Sequence, residues 1–441
     1  MESDYKEVIL SKLIDVKHGF AFAGEGITDE PSDDILLTPG NFAIGGGFKG
    51  GKFKYFQGAA PEDYVLNEGD LVVTMTDLSK QADTLGYPAL VPKLKGHRFL
   101  HNQRIGKVVI KNKAAIDKLY LYYLLRTQGY RNEILAGATG TAVKHTAPIR
   151  IVSYKTHIPP LSEQKRIAGI LGALDDKIEL NRKTNETLDQ MAKALFKSWF
   201  VDFDPVHAKA AGRQPVGINK ATSDLFSNGF TETEIGAIPQ GWTTKQIGEI
   251  ADIDKGLSYK GDGLAEEGGL PMVNLGCFTG RGSFNAERIK RYKGEYRERH
   301  LLKQGDLVIA NTDMTQNRTI IGSPALIPEL KGESNILFTH HTFAVRFKHR
   351  YDMWRRYVFF TLLKPEFREI AEGFSTGTTV LALPRDGLLK YRICMPPQTL
   401  LSEFEAQITP ILSAIEANNK ESRSIGAIRD TLLPRLLAGT N

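Results

Sequence analysis

Cysteine is almost absent from this 441-residue chain: only Cys277 and Cys394 occur, and neither has a second cysteine or a spaced pair of histidines nearby. A disulfide framework or a structural zinc site is therefore not expected. Long apolar runs are also lacking, since none approaches the roughly 20 residues that a transmembrane helix needs. The acidic start, with Glu2 and Asp4, is unlike a signal peptide. We therefore expect a cytoplasmic protein with no membrane partner.

Motifs that carry chemistry are missing as well. There is no His-Glu-x-x-His helix, and both Pro-Pro pairs lack the flanking residues of the adenine methyltransferase motif Asp/Asn-Pro-Pro-Tyr. The segment from Gly46 to Lys52 has the spacing of a phosphate-binding loop, but Phe53 stands where a Ser or Thr should hold magnesium, so we interpret it as a flexible basic loop. His340 and His341 would point to opposite faces of a strand, which favours a structural role. We predict no catalytic residues and no metal site.

Neither sign of charge dominates the composition. Lys and Arg number 57 against 51 Asp and Glu, which gives a net charge of +6 and a pI near 9.0. This balance favours a polyanionic partner, although an ordinary basic protein would show the same value. The chain length is sufficient for roughly two or three domains.

What the chain does contain is a long internal repeat. Residues 69–72 (Gly-Asp-Leu-Val) return as residues 305–308, at an offset of 236, and residues 159–160 (Pro-Pro) return as 396–397, at an offset of 237. A repeat this long cannot be a solenoid unit, so each copy should be a domain with its own core. Two equivalent domains in one chain suit a target that itself has two parts.

Each copy ends in a helical pattern of about five heptads, with a seam at alternating steps of four and three. The seam residues are Ile167, Leu171, Leu174, Ile178, Asn181, Asn185, Leu188 and Leu195 in the first helix, and Ile408, Ile411, Ile415, Asn418, Ser422, Ile425 and Leu432 in the second. We predict that the helices pair as an antiparallel coiled coil with pseudo-two-fold symmetry; the alternative is that each covers the core of its own domain. Because Pro410 and Pro434 interrupt the second pattern, that helix is expected to kink or to start late.

The remaining patterns predict an α+β fold in which two similar domains of mixed strand and helix follow in tandem. Strands are predicted at 71–73, 106–110, 307–309 and 343–347, and short helices at 116–128 and 354–364. The predicted boundaries are residues 1–157 for the first domain, 158–200 for the first long helix, 201–234 for a connector, 235–394 for the second domain and 395–438 for the second long helix.

Polar loops recur in both copies and are the candidate binding site. One pair of loops directly follows the Gly-Asp-Leu-Val strands, and its Gln, Asn, Arg and Lys side chains can make paired hydrogen bonds to base edges. A second pair supplies hydroxyl and cationic groups suited to phosphate, and basic residues precede both. The candidates are Lys49, Lys52, Thr76, Asp77, Lys80, Gln81, Thr139, Thr141, Lys144 and His145 in the first copy, and Arg288, Lys290, Thr312, Asp313, Gln316, Asn317, Arg318, Thr376 and Thr378 in the second. Any single one of them could equally be a solvated loop residue, so the hypothesis depends on their recurrence as a set.

Three phrases give the chain a family resemblance: residues 158–164 (Ile-Pro-Pro-Leu-Ser-Glu-Gln), 196–205 (Phe-Lys-Ser-Trp-Phe-Val-Asp-Phe-Asp-Pro) and 235–242 (Ile-Gly-Ala-Ile-Pro-Gln-Gly-Trp). Together with the repeat, they resemble the specificity subunit of a type I restriction-modification enzyme. The chain departs from the family pattern in two places, because its first domain lacks the Ile-Pro-x-Gly-Trp opening and its second helix lacks the Trp-Phe-Val-Asp-Phe-Asp tail.

The resemblance implies two target-recognition domains, each reading one half of an interrupted double-stranded DNA site. It also implies that the helices dock two methyltransferase subunits, which bind S-adenosylmethionine, and through them restriction subunits that use ATP and magnesium. No cofactor is expected in this chain. Two other functions stay open: a single-chain nuclease or methyltransferase with a divergent active site, and a scaffold that organises proteins without binding DNA.

Overall fold

The computed structural model describes residues 5–79, 81–141, 143–280, 282–313, 319–330, 332–373 and 381–438. The chain divides into two compact units. The first consists of residues 1–182 together with 419–441, and the second of residues 183–418. Each unit therefore contains one copy of the repeat and part of both long helices. Among the described residues, no helix combines the length and the hydrophobicity that crossing a bilayer would require.

The described residues of the first unit form thirteen short strands. They are β1 (Lys6–Ile9), β2 (Ile14–His18), β3 (Ile27–Thr28), β4 (Asp34–Leu37), β5 (Lys54–Phe56), β6 (Val65–Leu66), β7 (Leu71–Thr74), β8 (Thr76–Asp77), β9 (Pro88–Leu90), β10 (Arg98–His101), β11 (Ile105–Ile110), β12 (Lys144–His145) and β13 (Lys155–Ile158). A five-stranded sheet has the order β3-β5-β4-β10-β6, with β4 and β10 parallel, and a four-stranded antiparallel sheet has the order β2-β11-β7-β9. Two further ladders join β1 to β13 and β8 to β12.

The second unit repeats this topology strand for strand. Its strands are a hairpin of β14 (Phe230–Thr233) and β15 (Gly236–Pro239), then β16 (Thr243–Gln246), β17 (Ala251–Lys255), β18 (Leu264–Ala265), β19 (Leu270–Val273), β20 (Lys290–Tyr292), β21 (Leu301–Leu302), β22 (Leu307–Ala310), β23 (Thr312–Asp313), β24 (Pro324–Leu326), β25 (Ile336–Phe338), β26 (Thr342–Phe347), β27 (Leu381–Ala382) and β28 (Arg392–Met395). The sheets have the orders β18-β20-β19-β25-β21 and β17-β26-β22-β24, with ladders β16–β28 and β23–β27. The sequence repeat is therefore a repeat of domain topology.

The helices are α1 (Lys118–Leu124), α2 (Gln128–Ala136), α3 (Pro148–Val152), α4 (Leu161–Phe200), α5 (Asp204–Ala210), α6 (Lys220–Asp224), α7 (Ile247–Ile250), α8 (Arg355–Leu362), α9 (Pro365–Gly373), α10 (Arg385–Lys390) and α11 (Gln398–Ala438). Helices α1 and α8 confirm the two predicted short helices, with narrower bounds. Helix α1 begins where it does because the Asp117 side chain accepts hydrogen bonds from the N–H groups of Leu119 and Tyr120, which have no partner within the helix.

The four predicted strands are confirmed, and their composition follows from burial on both faces. In β7, Leu71 and Val73 join one apolar cluster while Val72 joins another. In β22, Leu307 and Ile309 likewise join one apolar cluster while Val308 joins another. Successive side chains of a strand point to opposite faces, so each of these strands is covered on both sides. Complete burial of one such Val or Leu side chain contributes about 1.5–3 kcal/mol.

The ends of the long helices complete the cores of the units. In the first unit, Ile167 and Leu171 of α4 share an apolar cluster with Leu437 of α11. In the second unit, Ile408 of α11 shares a cluster with Ala192 and Phe196 of α4. The hypothesis that each helix covers its own domain is therefore correct for these ends.

Away from these ends, the two helices pack against each other. In the first unit, Asn181 donates to Ser422 over 3.2 Å, and Asp175 pairs with Arg429 over 2.6 Å. Residue numbers rise along α4 as they fall along α11, so the pairing within this unit is antiparallel. All predicted seam residues from Ile167 to Leu432 are buried or half-buried. The predicted antiparallel coiled coil is thus confirmed.

The second long helix and the start of the second domain differ in detail from the predicted layout. Helix α11 begins at Gln398 and continues past both Pro410 and Pro434, so the predicted late start is wrong. Both prolines are exposed, and water can therefore satisfy a carbonyl group that loses its N–H donor. The hairpin of β14 and β15 lies on both sides of residue 235, where the second domain was predicted to begin.

Candidate nucleic-acid interface

A short ladder joins the two predicted polar loops of the first unit. Strand β8 pairs with β12, so that Asp77 lies opposite Lys144 and Thr76 lies opposite His145. The Thr76 hydroxyl oxygen is 3.1 Å from Nδ1 of His145. The structure therefore brings together residues of two loops that are more than sixty positions apart in the chain.

The second unit repeats this ladder with different partners. Strand β23 pairs with β27, so that Thr312 lies opposite Ala382 and Asp313 lies opposite Leu381. The Thr312 hydroxyl is again next to a histidine, 2.8 Å from Nδ1 of His341, although this histidine comes from the turn between β25 and β26. Equivalent threonines are thus paired with histidines of different origin.

His340 and His341 do not lie on opposite faces of a strand, so that prediction is wrong. They form the turn between β25 and β26, and their ring centroids are 3.9 Å apart. Burial lowers the pKa of His341, and the neighbouring His340 and Lys255 lower it further. His341 thus contacts the ladder through Thr312, and His340 packs against His341.

Asp77 is buried and holds its own loop. Its carboxylate accepts hydrogen bonds from the Ser79 N–H over 2.6 Å, and from the Thr84 N–H over 2.5 Å and hydroxyl over 2.6 Å. Burial raises the pKa of Asp77, but these hydrogen bonds outweigh it, and the pKa is lowered. These contacts suit a positioning role for Asp77, and its predicted contact with DNA stays a prediction.

Asp313 has the equivalent role in the second unit. It is 2% exposed, and its carboxylate accepts hydrogen bonds from the N–H groups of Ile320 over 2.6 Å and Ile321 over 3.0 Å. Both hydrogen bonds go to Oδ2, so this carboxylate oxygen holds the start of the segment after the loop. Burial and these hydrogen bonds suit a positioning role for Asp313, and its predicted contact with DNA stays a prediction.

Arg131 holds the loop that follows β8 in the first unit. It is 6% exposed and donates hydrogen bonds to the carbonyl oxygens of Ala82 and Leu85. Ala82 has φ +56°, a conformation that costs a non-glycine residue about 1–2 kcal/mol. In the second unit Arg368 donates to the Thr319 carbonyl. These arginines were not predicted from the sequence, because their partners are backbone atoms of distant residues.

The predicted interface residues differ in exposure. Those that are exposed are Lys49, Lys52, Gln81, Thr139, Thr141, His145, Arg288 and Lys290; Lys144 and Thr312 are half-buried, and Thr76, Asp77 and Asp313 are buried. Lys80, Gln316, Asn317, Arg318, Thr376 and Thr378 lie outside the described residues. The exposed and half-buried members can reach a ligand, whereas the buried ones support the strands.

The glycine loop, residues 43–52, carries Lys49 and Lys52. The sequence suggested a flexible basic loop, but hydrogen bonds hold this loop against the rest of the unit. The N–H of Gly47 donates to the Pro88 carbonyl over 2.8 Å, and Nε of Arg126 donates to the Gly45 carbonyl over 2.8 Å. Because Gly46 has φ +89° and an added Cβ there would lie 2.8 Å from Cγ of Arg126, glycine is needed at this contact.

Arg126 is itself held by an ionic cluster that was not predicted from the sequence. The Asp175 carboxylate accepts from the Tyr123 hydroxyl over 2.8 Å, from Arg126 over 3.1 Å and from Arg429 over 2.6 Å. The Arg126 side chain is only 7% exposed. Sequence patterns give no signal for such a cluster, since its four members come from α1, the segment after it, α4 and α11.

The described residues provide no group of three or more His, Cys, Asp or Glu side chains placed to hold a metal ion. Burial raises the pKa of Cys277 to about 11 and that of Cys394 to about 12. Both thiols are therefore protonated at neutral pH and are unsuited to nucleophilic attack.

Comparison with known proteins agrees with this architecture. Residues 3–190 match the family model for the type I restriction modification DNA specificity domain. The MjaIX specificity subunit of Methanocaldococcus jannaschii is 27% identical over 353 residues, which are 77% of this chain and 72% of that subunit. The HindI specificity subunit of Haemophilus influenzae is 27% identical over 359 residues, covering 73% and 76% of the two chains.

A solved structure has the same fold. The S subunit of a type I restriction-modification system from M. genitalium superposes with a TM-score of 0.55 at 16% identity, covering 99% of this chain and 96% of that one. The matched family model spans the first repeat and most of α4, and the second repeat has the same strand order. This chain therefore matches the type I DNA specificity domain over its first repeat, and it is similar to specificity subunits of type I restriction-modification enzymes over about three quarters of its length.

Proposed function

We propose that this chain is the DNA sequence-recognition subunit of a type I restriction-modification complex, in which each repeat binds one half of a bipartite duplex site. The observation that carries the proposal is that both units place the same ladder, β8–β12 and β23–β27, beside loops whose sequences differ. Equal scaffolds with different loop tips are suited to two half-sites of different sequence.

In the first unit, the side chains proposed to contact DNA are Gln81, Thr139, Thr141, Lys144 and His145, with Lys49 and Lys52. In the second unit they are Thr312, Arg288 and Lys290. The proposed contacts that lie outside the described residues are Lys80 in the first unit and Gln316, Asn317, Arg318, Thr376 and Thr378 in the second. Gln and Asn can pair with adenine, and Arg and Lys with guanine, in the major groove, while hydroxyl groups and lysines suit phosphate. Asp77 and Asp313 are proposed to position the loops.

The relatives are named as subunits of type I restriction enzymes, which supports association with the other subunits of such a complex. We propose that two methyltransferase subunits dock on the helices, and that restriction subunits join through them. S-adenosylmethionine, ATP and magnesium would then act in those partners, and this chain would need no cofactor. The methyltransferase would flip the target adenine out of the duplex. We propose a cytoplasmic location, because the proposed substrate is duplex DNA.

The two other functions considered from the sequence are not supported. The relatives described above are named as specificity subunits, and none of them is named as a nuclease, a methyltransferase or a scaffold. Salt-sensitive binding to duplex DNA in the presence of the methyltransferase would further separate recognition from scaffolding.

Mapping methylated adenines in cells with and without this gene tests the proposal. We expect one interrupted motif that disappears with the gene, and persistence of that motif would contradict the proposal. Two matched variants then assign the half-sites. Gln81→Ala should relax one half of the motif and Arg288→Ala the other, because the two side chains belong to different units. Relaxation of both halves by either variant would contradict reading by separate domains.

A further inference from the structure

The ionic cluster around Asp175 connects the helix pair to a loop that is proposed to contact DNA. Arg429 of α11 donates to Asp175 of α4, and Asp175 accepts from Arg126. The same Arg126 guanidinium donates through Nε to the Gly45 carbonyl of the glycine loop. An unbroken series of polar contacts therefore runs from α11 to this loop within the first unit.

The Arg126 side chain has two donors engaged in different directions. One N–H group faces Asp175 over 3.1 Å, and Nε–H faces Gly45 over 2.8 Å. A guanidinium is planar and its N–H groups have fixed directions. Holding one side of the group therefore orients the other, and the position of Gly45 depends on Asp175.

The equivalent positions of the second unit are apolar. At the offset of 237, Tyr123 corresponds to Phe360, Arg126 to Leu363 and Asp175 to Leu412, while Arg429 corresponds to Ala192. The rings of Phe360 and Phe196 are 5.3 Å apart, and these four residues lie in or against one apolar cluster.

The loop of the second unit also rests on this apolar set. A Cβ added at Gly282, the counterpart of Gly46, would lie 2.9 Å from a methyl group of Leu363. An apolar contact excludes space but has no preferred direction, whereas the hydrogen bond from Arg126 fixes one carbonyl. The two units thus support equivalent loops by different physical means.

We propose that Arg126 is a positioning residue for recognition of the first half-site: with Asp175 and Arg429, it fixes the glycine loop and the Lys49 and Lys52 side chains that the loop carries. This inference rests on the proposed function. It explains why an ionic cluster is retained where the second unit has an apolar set, since replacing a buried ion pair by apolar residues is often neutral or stabilising.

The test uses the wild-type complex of this chain with its methyltransferase subunits, and measures the preference for the methylated motif over duplexes with one base pair changed in either half-site. In the first variant, the set of the second unit is grafted: Tyr123→Phe, Arg126→Leu, Asp175→Leu and Arg429→Ala. We expect an unchanged unfolding temperature, about a tenfold loss of preference in the first half-site, and no change in the second.

A second variant, Arg126→Lys, keeps a positive charge beside Asp175 but cannot also donate from a planar group to Gly45. It should reproduce the loss of preference, and it decides the question if the grafted variant does not fold. Lys93→Ala is the matched control, because Lys93 lies in the same unit, outside the proposed interface and the long helices, and pairs with Glu68 at the surface. It should leave both half-sites unchanged.

Full preference at the first half-site in Arg126→Lys, or equal losses at both half-sites, would overturn the inference. A wild-type complex that showed no two-part motif would overturn the proposed function, and this inference with it, before any variant was made. The two failures are therefore distinguishable.

Discussion

Asn181 of α4 donates a hydrogen bond to the hydroxyl of Ser422 of α11 over 3.2 Å, and Asn181 is only 3% exposed. The second unit has the equivalent pair, in which Asn418 donates to Asn185 over 2.9 Å. A polar residue in a helical seam costs stability, but it disfavours any register in which its partner is lost. These two layers align the helices within each unit.

Removing one layer should make the helix pair more stable and less specific. In the double variant Asn181→Leu with Ser422→Ala, apolar contact replaces the polar pair, and we expect the free energy of unfolding to rise by about 1 kcal/mol. Urea denaturation measures this change. Exposed Ser424→Ala is a suitable control, and a marked loss of stability in the double variant would contradict the assigned role.

The helix pair should also set the distance between the half-sites. Inserting seven residues between Asn181 and Asn185, and seven between Asn418 and Ser422, keeps both polar layers and the heptad phase intact. The insert lengthens each helix by about 10 Å, which corresponds to about three base pairs of duplex. We expect the unread spacer of the methylated motif to lengthen accordingly.

Sequencing of methylated adenines reads the new spacer directly. An insertion in α4 alone is the control, since it shifts Asn185 out of register with Asn418 and should abolish methylation. An unchanged spacer in a complex that is still active would rule out the helices as the measure of distance.

The helix pair could be predicted because its information is local. A seam at steps of four and three is visible in consecutive residues, and the offset of 237 shows it twice. The strands 71–73 and 307–309 were predicted for the same reason. What could not be predicted was how strands combine, because the pairing of β8 with β12 joins short segments that no local pattern relates.

The candidate site stays a prediction, and the structure separates its members by exposure. Lys49, Gln81 and Arg288 are exposed, as an interface requires. Asp77 and Asp313 are polar residues in polar loops, yet both are buried. Only the positions of Ser79, Thr84 and Ile320 explain why, and these depend on backbone geometry that the residue types do not specify.

The Asp77 carboxylate should give the first unit a pH-dependent contribution to stability. Its pKa is lowered in the folded state from an ordinary value of 3.8, so the stabilisation is fully present above 3.8 and is lost as the pH falls through the lower folded value. Asp77→Asn lacks this titration. We expect it to be less stable than wild type by about 1–3 kcal/mol at pH 7.

Urea denaturation at a series of pH values checks the sign. The difference between wild type and Asp77→Asn should shrink below pH 3.8, because wild type then loses its carboxylate. A difference that stayed constant down to the lowest accessible pH would contradict the argument.

Lys49 and Lys52 should contribute to DNA affinity through phosphate and not through base sequence. Each lysine that neutralises a phosphate adds about 0.9 to the slope of log affinity against log salt concentration. In the variant Lys49→Ala with Lys52→Ala, the complex should therefore lose about 1.8 from the magnitude of this slope. Because phosphate contacts hold a protein in register on the duplex, its preference at the first half-site should also fall, while its preference at the second stays the same. Titrations at several salt concentrations on motif and non-motif duplexes separate the two effects.

Lys93→Ala is the matched control, since this lysine belongs to the same unit, is 79% exposed in its side chain and lies outside the proposed interface. If the double variant kept the slope of wild type, the glycine loop would not meet the phosphate backbone. If instead it lost affinity for the motif alone, these lysines would be reading bases.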